Sequence, residues 1–238
     1  MTAAGRFATT RWTMVNAAGG TSDAHSRKAL TELCQIYWPP LYGYLRRRGH
    51  DREQAEDLTQ GFFVRLLERK DIREADPLRG RFRGFLLTSL KRYVINEHER
   101  ATAAKRGGRL PIVLDFDTAE RTYAPSLGSD DTPDRIFDRN WAALCLDRAL
   151  ASLRAEHHDA GKGAMADTLL PYLTDGTGLP SYREIAAQLN VTEGAVKVSV
   201  HRLRQRFGAI LRLQILDTVL SPEEADDEMR ELIRAVAS

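Results

Sequence analysis

The stretch SYREIAAQLNVTEGAVKVSVHRLRQRF, residues 181–207, decides the fold. Pro180 precedes it, and Ser181 with Glu184 three residues on makes a capping box, so a helix starts there. That helix buries Ile185, Ala186 and Leu189 and stops at Asn190, which tolerates the left-handed turn conformation. Thr192 caps a second helix, whose apolar residues Val196, Val200, Leu203 and Phe207 are spaced four, three and four. Two helices joined by the three-residue turn Asn190-Val191-Thr192 match a helix-turn-helix, in which the first braces the second and the second enters a major groove. With the apolar stripe turned inward, the outward residues include Glu193, Lys197, Val198, His201, Arg202 and Gln205. These side chains can reach base edges or phosphates. A plain helical hairpin shares the apolar pattern; the five basic residues against one acid from Glu193 to Arg212 favour a nucleic-acid partner.

Working outward, the rest of the chain is also helical in pattern. Trp141, Leu144, Cys145, Ala149 and Leu153 form one stripe, and Met165, Leu169, Leu170 and Leu173 a shorter one. In the first half, Leu30, Leu33, Ile36, Tyr37, Leu41, Tyr44 and Leu45 fall near helical period, with Pro39 and Pro40 expected to bend or split the segment. Gly49 ends it. Ala55, Leu58, Phe62 and Leu66 define the next helix, whose N-terminal part is rich in acids, where the helix dipole favours them. After a break around Ala75 to Gly80, a third helix spans roughly Phe82 to Ala104, with Phe85, Leu86, Leu90, Tyr93 and Val94 on its apolar side. Its other side carries Lys91, Arg92, Arg100, Lys105 and Arg106, and Gly107-Gly108 closes the unit. From Arg109 to about Thr132 the chain reads as irregular and acidic, with a short apolar run at Ile112-Val113-Leu114.

The net charge of +2 conceals two basic blocks separated by acidic ones. Arg81 to Arg109 holds eight Lys or Arg against Glu97 and Glu99, whereas Pro111 to Asp138 holds seven acids and two arginines. The tail from Leu213 to Ser238 is acidic as well. Two separate anionic contacts explain this better than one uniformly coated surface. In the first block, Arg81, Arg83, Lys91, Arg92 and Arg100 are interleaved with Phe82, Phe85 and Tyr93, a combination that suits single-stranded nucleic acid: bases stack on rings and cations follow the backbone. The competing reading is that the aromatics are core, and for Phe85 this is the stronger one.

Other classes fit poorly. His157-His158 has no carboxylate or cysteine at metal-ligand spacing, no phosphate-cradling glycine loop occurs, and Cys34 and Cys145 lack a base partner, so neither an enzyme nor a metal or other cofactor is expected. The two cysteines read as buried free thiols. No signal peptide is visible between Met1 and Asn16 and no segment approaches bilayer length, so a cytoplasmic protein is expected.

The segment DREQAEDLTQGFF, residues 51–63, resembles the "AEDLTQ-x-x-F" signature of bacterial RNA polymerase sigma factors, specifically the extracytoplasmic-function (ECF) group. Residues 182–189 and 194–204 resemble that group's fourth-region helix-turn-helix. The resemblance implies a transcription-initiation factor whose partners are RNA polymerase core, promoter DNA and, as a further candidate, an anti-sigma factor. It implies that Asp57, Gln60 and Phe63 bind core polymerase. It assigns Arg81, Arg83, Lys91, Arg92, Glu97 and Arg100 to the minus-ten strand, and Lys197, Val198, Ser199, His201, Arg202 and Gln205 to the upstream minus-thirty-five duplex. Where the group usually carries Asn and Asp on its minus-ten helix, this chain has Tyr93 and Glu97.

The expected architecture is all-α: two small helical domains joined by a flexible linker, the second containing the helix-turn-helix. The expected divisions are an N-terminal extension 1–26, a region-two-like domain 27–107, a linker 108–133, a region-four-like domain 134–212 and an acidic tail 213–238. That tail carries Met229, Leu232, Ile233 and Val236 at helical spacing, which suits either an amphipathic packing helix or one that folds back on a basic helix. Two alternatives stand beside the sigma reading: a sigma-like adaptor that binds polymerase without opening promoters, and a one-domain type of helix-turn-helix regulator.

Overall fold

The computed structural model describes residues 24–69, 81–101, 114–123, 131–174, 178–216, 219 and 222–237. The N-terminal stretch 1–23, the break at 75–80, Lys105, Arg106, Gly107-Gly108 and Ile112-Val113 lie outside the described residues, as do the side chains of Leu30, Leu33, Ile36 and Arg100. No strand occurs among the described residues; the elements are all helical, as expected. They are α1 (Ala24–Arg47), α2 (Arg52–Arg69), α3 (Phe82–Ala101), α4 (Phe116–Tyr123), α5 (Pro133–Asp159), α6 (Gly163–Leu169), α7 (Pro171–Thr174), α8 (Tyr182–Leu189), α9 (Glu193–Leu216) and α10 (Pro222–Ala237).

The chain forms two compact units, one of residues 1–142 with 216–238 and the other of residues 143–215. This differs from the expected division in two ways: the boundary falls inside α5, and the acidic tail joins the first unit.

In the first unit, α1 runs as one helix through Pro39 and Pro40, where a bend or a split was expected, so the helix is not split. Each proline removes a backbone donor, a loss offset by what the surrounding turns bury: Tyr37, Leu41, Tyr42 and Leu45 are all at most 1% exposed. Gly49 ends the helix with φ +92, and Gly49 N–H and His50 N–H donate to the carbonyls of Arg46 and Leu45, the paired bonds of a Schellman cap. Asp51 then caps α2 by accepting from Gln54 N–H at 2.8 Å. Ala55, Phe62, Phe63 and Leu66 from α2 and Phe82, Leu86 and Leu90 from α3 complete the core. The start of α5 joins it: Trp141 lies flat on Tyr37, ring centroids 5.0 Å apart.

The stretch that reads as irregular linker contains α4. Asp115 caps it by accepting from Thr118 N–H at 3.0 Å. Phe116 then packs against Trp38 and Tyr42, with centroids 5.0 and 5.3 Å away. Glu120 accepts from both sides of the Arg46 guanidinium and from the Tyr42 hydroxyl. Hydrogen bonding to Arg46 holds the Glu120 carboxyl below the usual range. Arg46 and Tyr42 sit more than 70 residues from Glu120 in sequence, so local pattern gives no sign of the helix.

Tyr93, which stands where the ECF group usually carries Asn, turns inward with the apolar side of α3, as its helical phase implies. It is 9% exposed, its ring lies 5.9 Å from Phe62, and Arg65 sits 5.8 Å over it. Its hydroxyl occupies the space above Gly61, where an added Cβ would come within 2.2 Å of the oxygen. Gly61→Ala is therefore expected to lower unfolding stability by about 1–3 kcal/mol through overpacking. Tyr93→Phe, which removes the clashing oxygen, should restore part of it, and denaturant melts of the single and double variants check this.

In the second unit, the buried apolar side chains are Cys145, Ala149 and Leu153 of α5, Ala166 and Leu169 of α6, Ile185 and Ala186 of α8, and Val196, Val200 and Leu203 of α9. Neither cysteine is in a disulfide and both are buried, and burial pushes the Cys34 thiol up to about 12. No described helix is long and apolar enough to cross a membrane, and no group of metal-ligating side chains occurs among the described residues.

Candidate nucleic-acid interface

The helix-turn-helix is built by its local chemistry. Ser181 Oγ accepts from Glu184 N–H at 3.3 Å while Glu184 accepts from Ser181 N–H at 2.7 Å, which closes the capping box. Those bonds hold the Glu184 carboxyl below its ordinary value. Asn190 adopts φ 54, ψ 46, and Asn190 N–H and Val191 N–H donate to the carbonyls of Ala187 and Ala186. Thr192 Oγ1 then accepts from Ala195 N–H at 3.2 Å. Together these caps satisfy helix-end groups on both sides of the turn, which fixes how α9 leaves α8.

With Val196, Val200 and Leu203 inward, Lys197, Val198, His201, Arg202 and Gln205 are exposed and Ser199 is half-buried. Val198 is 48% exposed, an apolar side chain presented to solvent within a polar face, as packing on a thymine methyl requires. Lys197 Nζ lies 2.7 Å from Glu193, one turn back, which raises the lysine pKa and keeps it charged. The remaining cations of the block divide differently. Arg206 makes a two-pronged bond to Glu156 of α5 at 2.7 and 2.8 Å, and Arg204 donates to the Tyr172 carbonyl at 3.0 Å. Their role is to tie α9 to its own unit, which leaves Lys197 and Arg202 as the cations of the outward face.

The first basic block is similarly divided. On α3, Thr88, Arg92, Ile95 and His98 are exposed, and their spacing of four, three and three places them on one ridge. Ile95, 59% exposed, is a member that sequence reasoning missed, although its helical phase with Arg92 was available to find it. Glu97 is half-buried. Lys91 pairs with Asp134 of α5 at 2.7 Å and lies 5.6 Å over the Tyr44 ring. Arg81 and Arg83 pair with Glu228 and Glu231 of α10, and Arg83 also with Asp138 of α5. Burial draws Arg83 toward its neutral form, but the Glu228 and Asp138 carboxylates outweigh it and raise the pKa. Phe82 is 1% exposed and stacks on Phe85, so the aromatics expected to receive bases serve the core, with Phe85 half-buried.

On α2, Asp57 is exposed and Gln60 half-buried, three residues apart and so on a shared face. Phe63, expected beside them at a partner interface, is 1% exposed and packs on Phe62. It presents no surface to a partner.

The described residues form a helical protein with one helix-turn-helix, whose second helix presents Lys197 and Arg202, and with a further helix that presents Arg92. Residues 33–104 match the sigma-70 region 2 family model. The chain is 27% identical over 201 residues to an ECF RNA polymerase sigma factor, SigE, of Mycolicibacterium smegmatis, covering 84% of this chain and 68% of that protein. No solved structure matches. The region 2 match and this similarity together support a sigma factor of the ECF type, one that directs RNA polymerase to promoters.

Proposed function

We propose that the two units divide promoter recognition between them. Unit one docks on core polymerase through the α2 face carrying Asp57 and Gln60, and captures the unpaired minus-ten strand along α3 with Arg92, Glu97 and Arg100. Ile95 adds an apolar surface to that ridge. Unit two lays α9 in the major groove of the upstream duplex, where Lys197, Val198, Ser199, His201, Arg202 and Gln205 meet bases and phosphates. The polymerase performs the chemistry; the chain positions it.

The observation that carries this reading is the exposed α9 face, held by a complete set of caps and stripped of the arginines that serve packing. The adaptor alternative draws on Tyr93, which is buried at a position where the ECF group usually carries Asn. Run-off transcription with purified core polymerase tests the proposal: a discrete transcript is expected from a promoter template only when this chain is added.

A further inference from the structure

The buried stripe of α10 consists of Ala225, Glu228 and Leu232, 0%, 2% and 4% exposed. Its middle member is a carboxylate in an otherwise apolar row, and a carboxylate so placed is costly unless cations meet it. Two do. Arg81 Nε and Arg83 Nε each lie 2.7 Å from Glu228, and Glu231 one turn on pairs with both guanidinium groups. Asp138 of α5 takes another edge of Arg83. An open groove lined by Arg83, Asp138, Trp141, Glu231 and Leu232 reaches this cluster, and Asp138 and Glu231 keep 46% and 41% of their side chains exposed.

We infer that α10 is an internal stand-in for the phosphate backbone: its carboxylates hold the two guanidinium groups that would otherwise grip the minus-ten strand, and promoter DNA and the tail compete for Arg81 and Arg83. This rests on the proposed role of α3 in strand capture and adds its regulation. Guanidinium groups match carboxylate and phosphate with the same forked geometry, so one can replace the other at these sites. Arg81 immediately precedes α3 and Arg83 lies in its first turn, both N-terminal to the exposed Arg92 ridge, so a strand following that ridge meets the tail at its end. Release exposes Ala225 and Leu232, which makes the tail a restraint that a bound strand must displace.

The test uses the full chain and a fluorescent oligodeoxythymidylate, titrated over a range of salt. In Glu228→Gln/Glu231→Gln, binding should tighten, and the slope of log affinity against log salt should steepen by about 1.4, the value for two further phosphates on a single strand. A double variant that melts cooperatively yet shows the native affinity and slope overturns the proposal. If that variant does not fold, hydrogen exchange on the native chain decides: saturating oligonucleotide is expected to deprotect the α10 amides, and unchanged protection overturns it. Arg92→Ala tells the two levels apart. Weakened binding there with no response from the tail sinks only this inference, whereas full binding in Arg92→Ala sinks the strand-capture reading beneath it as well.

Discussion

Arg202→Ala should weaken binding to an upstream promoter duplex by about 1–3 kcal/mol, the worth of one bidentate pairing with a base, while association with core polymerase is unchanged. Arg202 is exposed and sits one turn beyond Val198 on α9, and the other arginines nearby are committed to Glu156 and Tyr172. Lys197→Ala makes a useful companion. Removing a phosphate-binding ammonium there should lower affinity evenly across sequences and reduce the salt slope by about 1, whereas Arg202→Ala should also relax preference at one base pair. Duplex titrations at several salt concentrations, with a sizing-column assay for core binding, read both. Loss of core association in either variant would mean that the two surfaces are not separable.

The second large effect divides α2 between its inner and outer sides. Phe63→Ala should cost about 3–5 kcal/mol, because a 1%-exposed ring leaves a cavity among rigid neighbours. Against a typical total stability of roughly 5–15 kcal/mol, that is enough to unfold much of the first unit at physiological temperature. Asp57→Ala, on an exposed side chain, should move stability by no more than about 0.5 kcal/mol yet reduce core association. Thermal melts and core capture measured on the same preparations check the pair. A Phe63→Ala protein that melts like the native chain but fails to bind core would place Phe63 at the interface after all.

These cases show which parts of the molecule local sequence could reveal. The helix-turn-helix was legible almost atom by atom, because capping box, left-handed Asn190 and apolar stripe are set within 27 residues of one another. The outward face of α9 followed from the same periodicity. What stayed hidden depends on partners distant in the chain. α4 looks like punctuated linker until Phe116 meets Trp38 and Glu120 meets Arg46, and Arg206 looks like a DNA-facing cation until Glu156 claims it. Arg81 and Arg83 read as free cations because nothing near residue 81 announces carboxylates some 150 residues on. The aromatics of α3 could be read either way for a related reason: Phe82 and Tyr93 have the composition of a stacking platform as well as of a core, and the packing of α2 and α3 turns them inward.

The division of labour stands or falls most directly on run-off transcription by core polymerase supplied with this chain, scored alongside its association with core on a sizing column. A stable complex and a transcript starting at one position on a promoter template are expected. A stable complex that yields no transcript from any promoter carrying matched minus-ten and minus-thirty-five elements would contradict it and leave an adaptor; absence of the complex would leave a plain DNA-binding regulator.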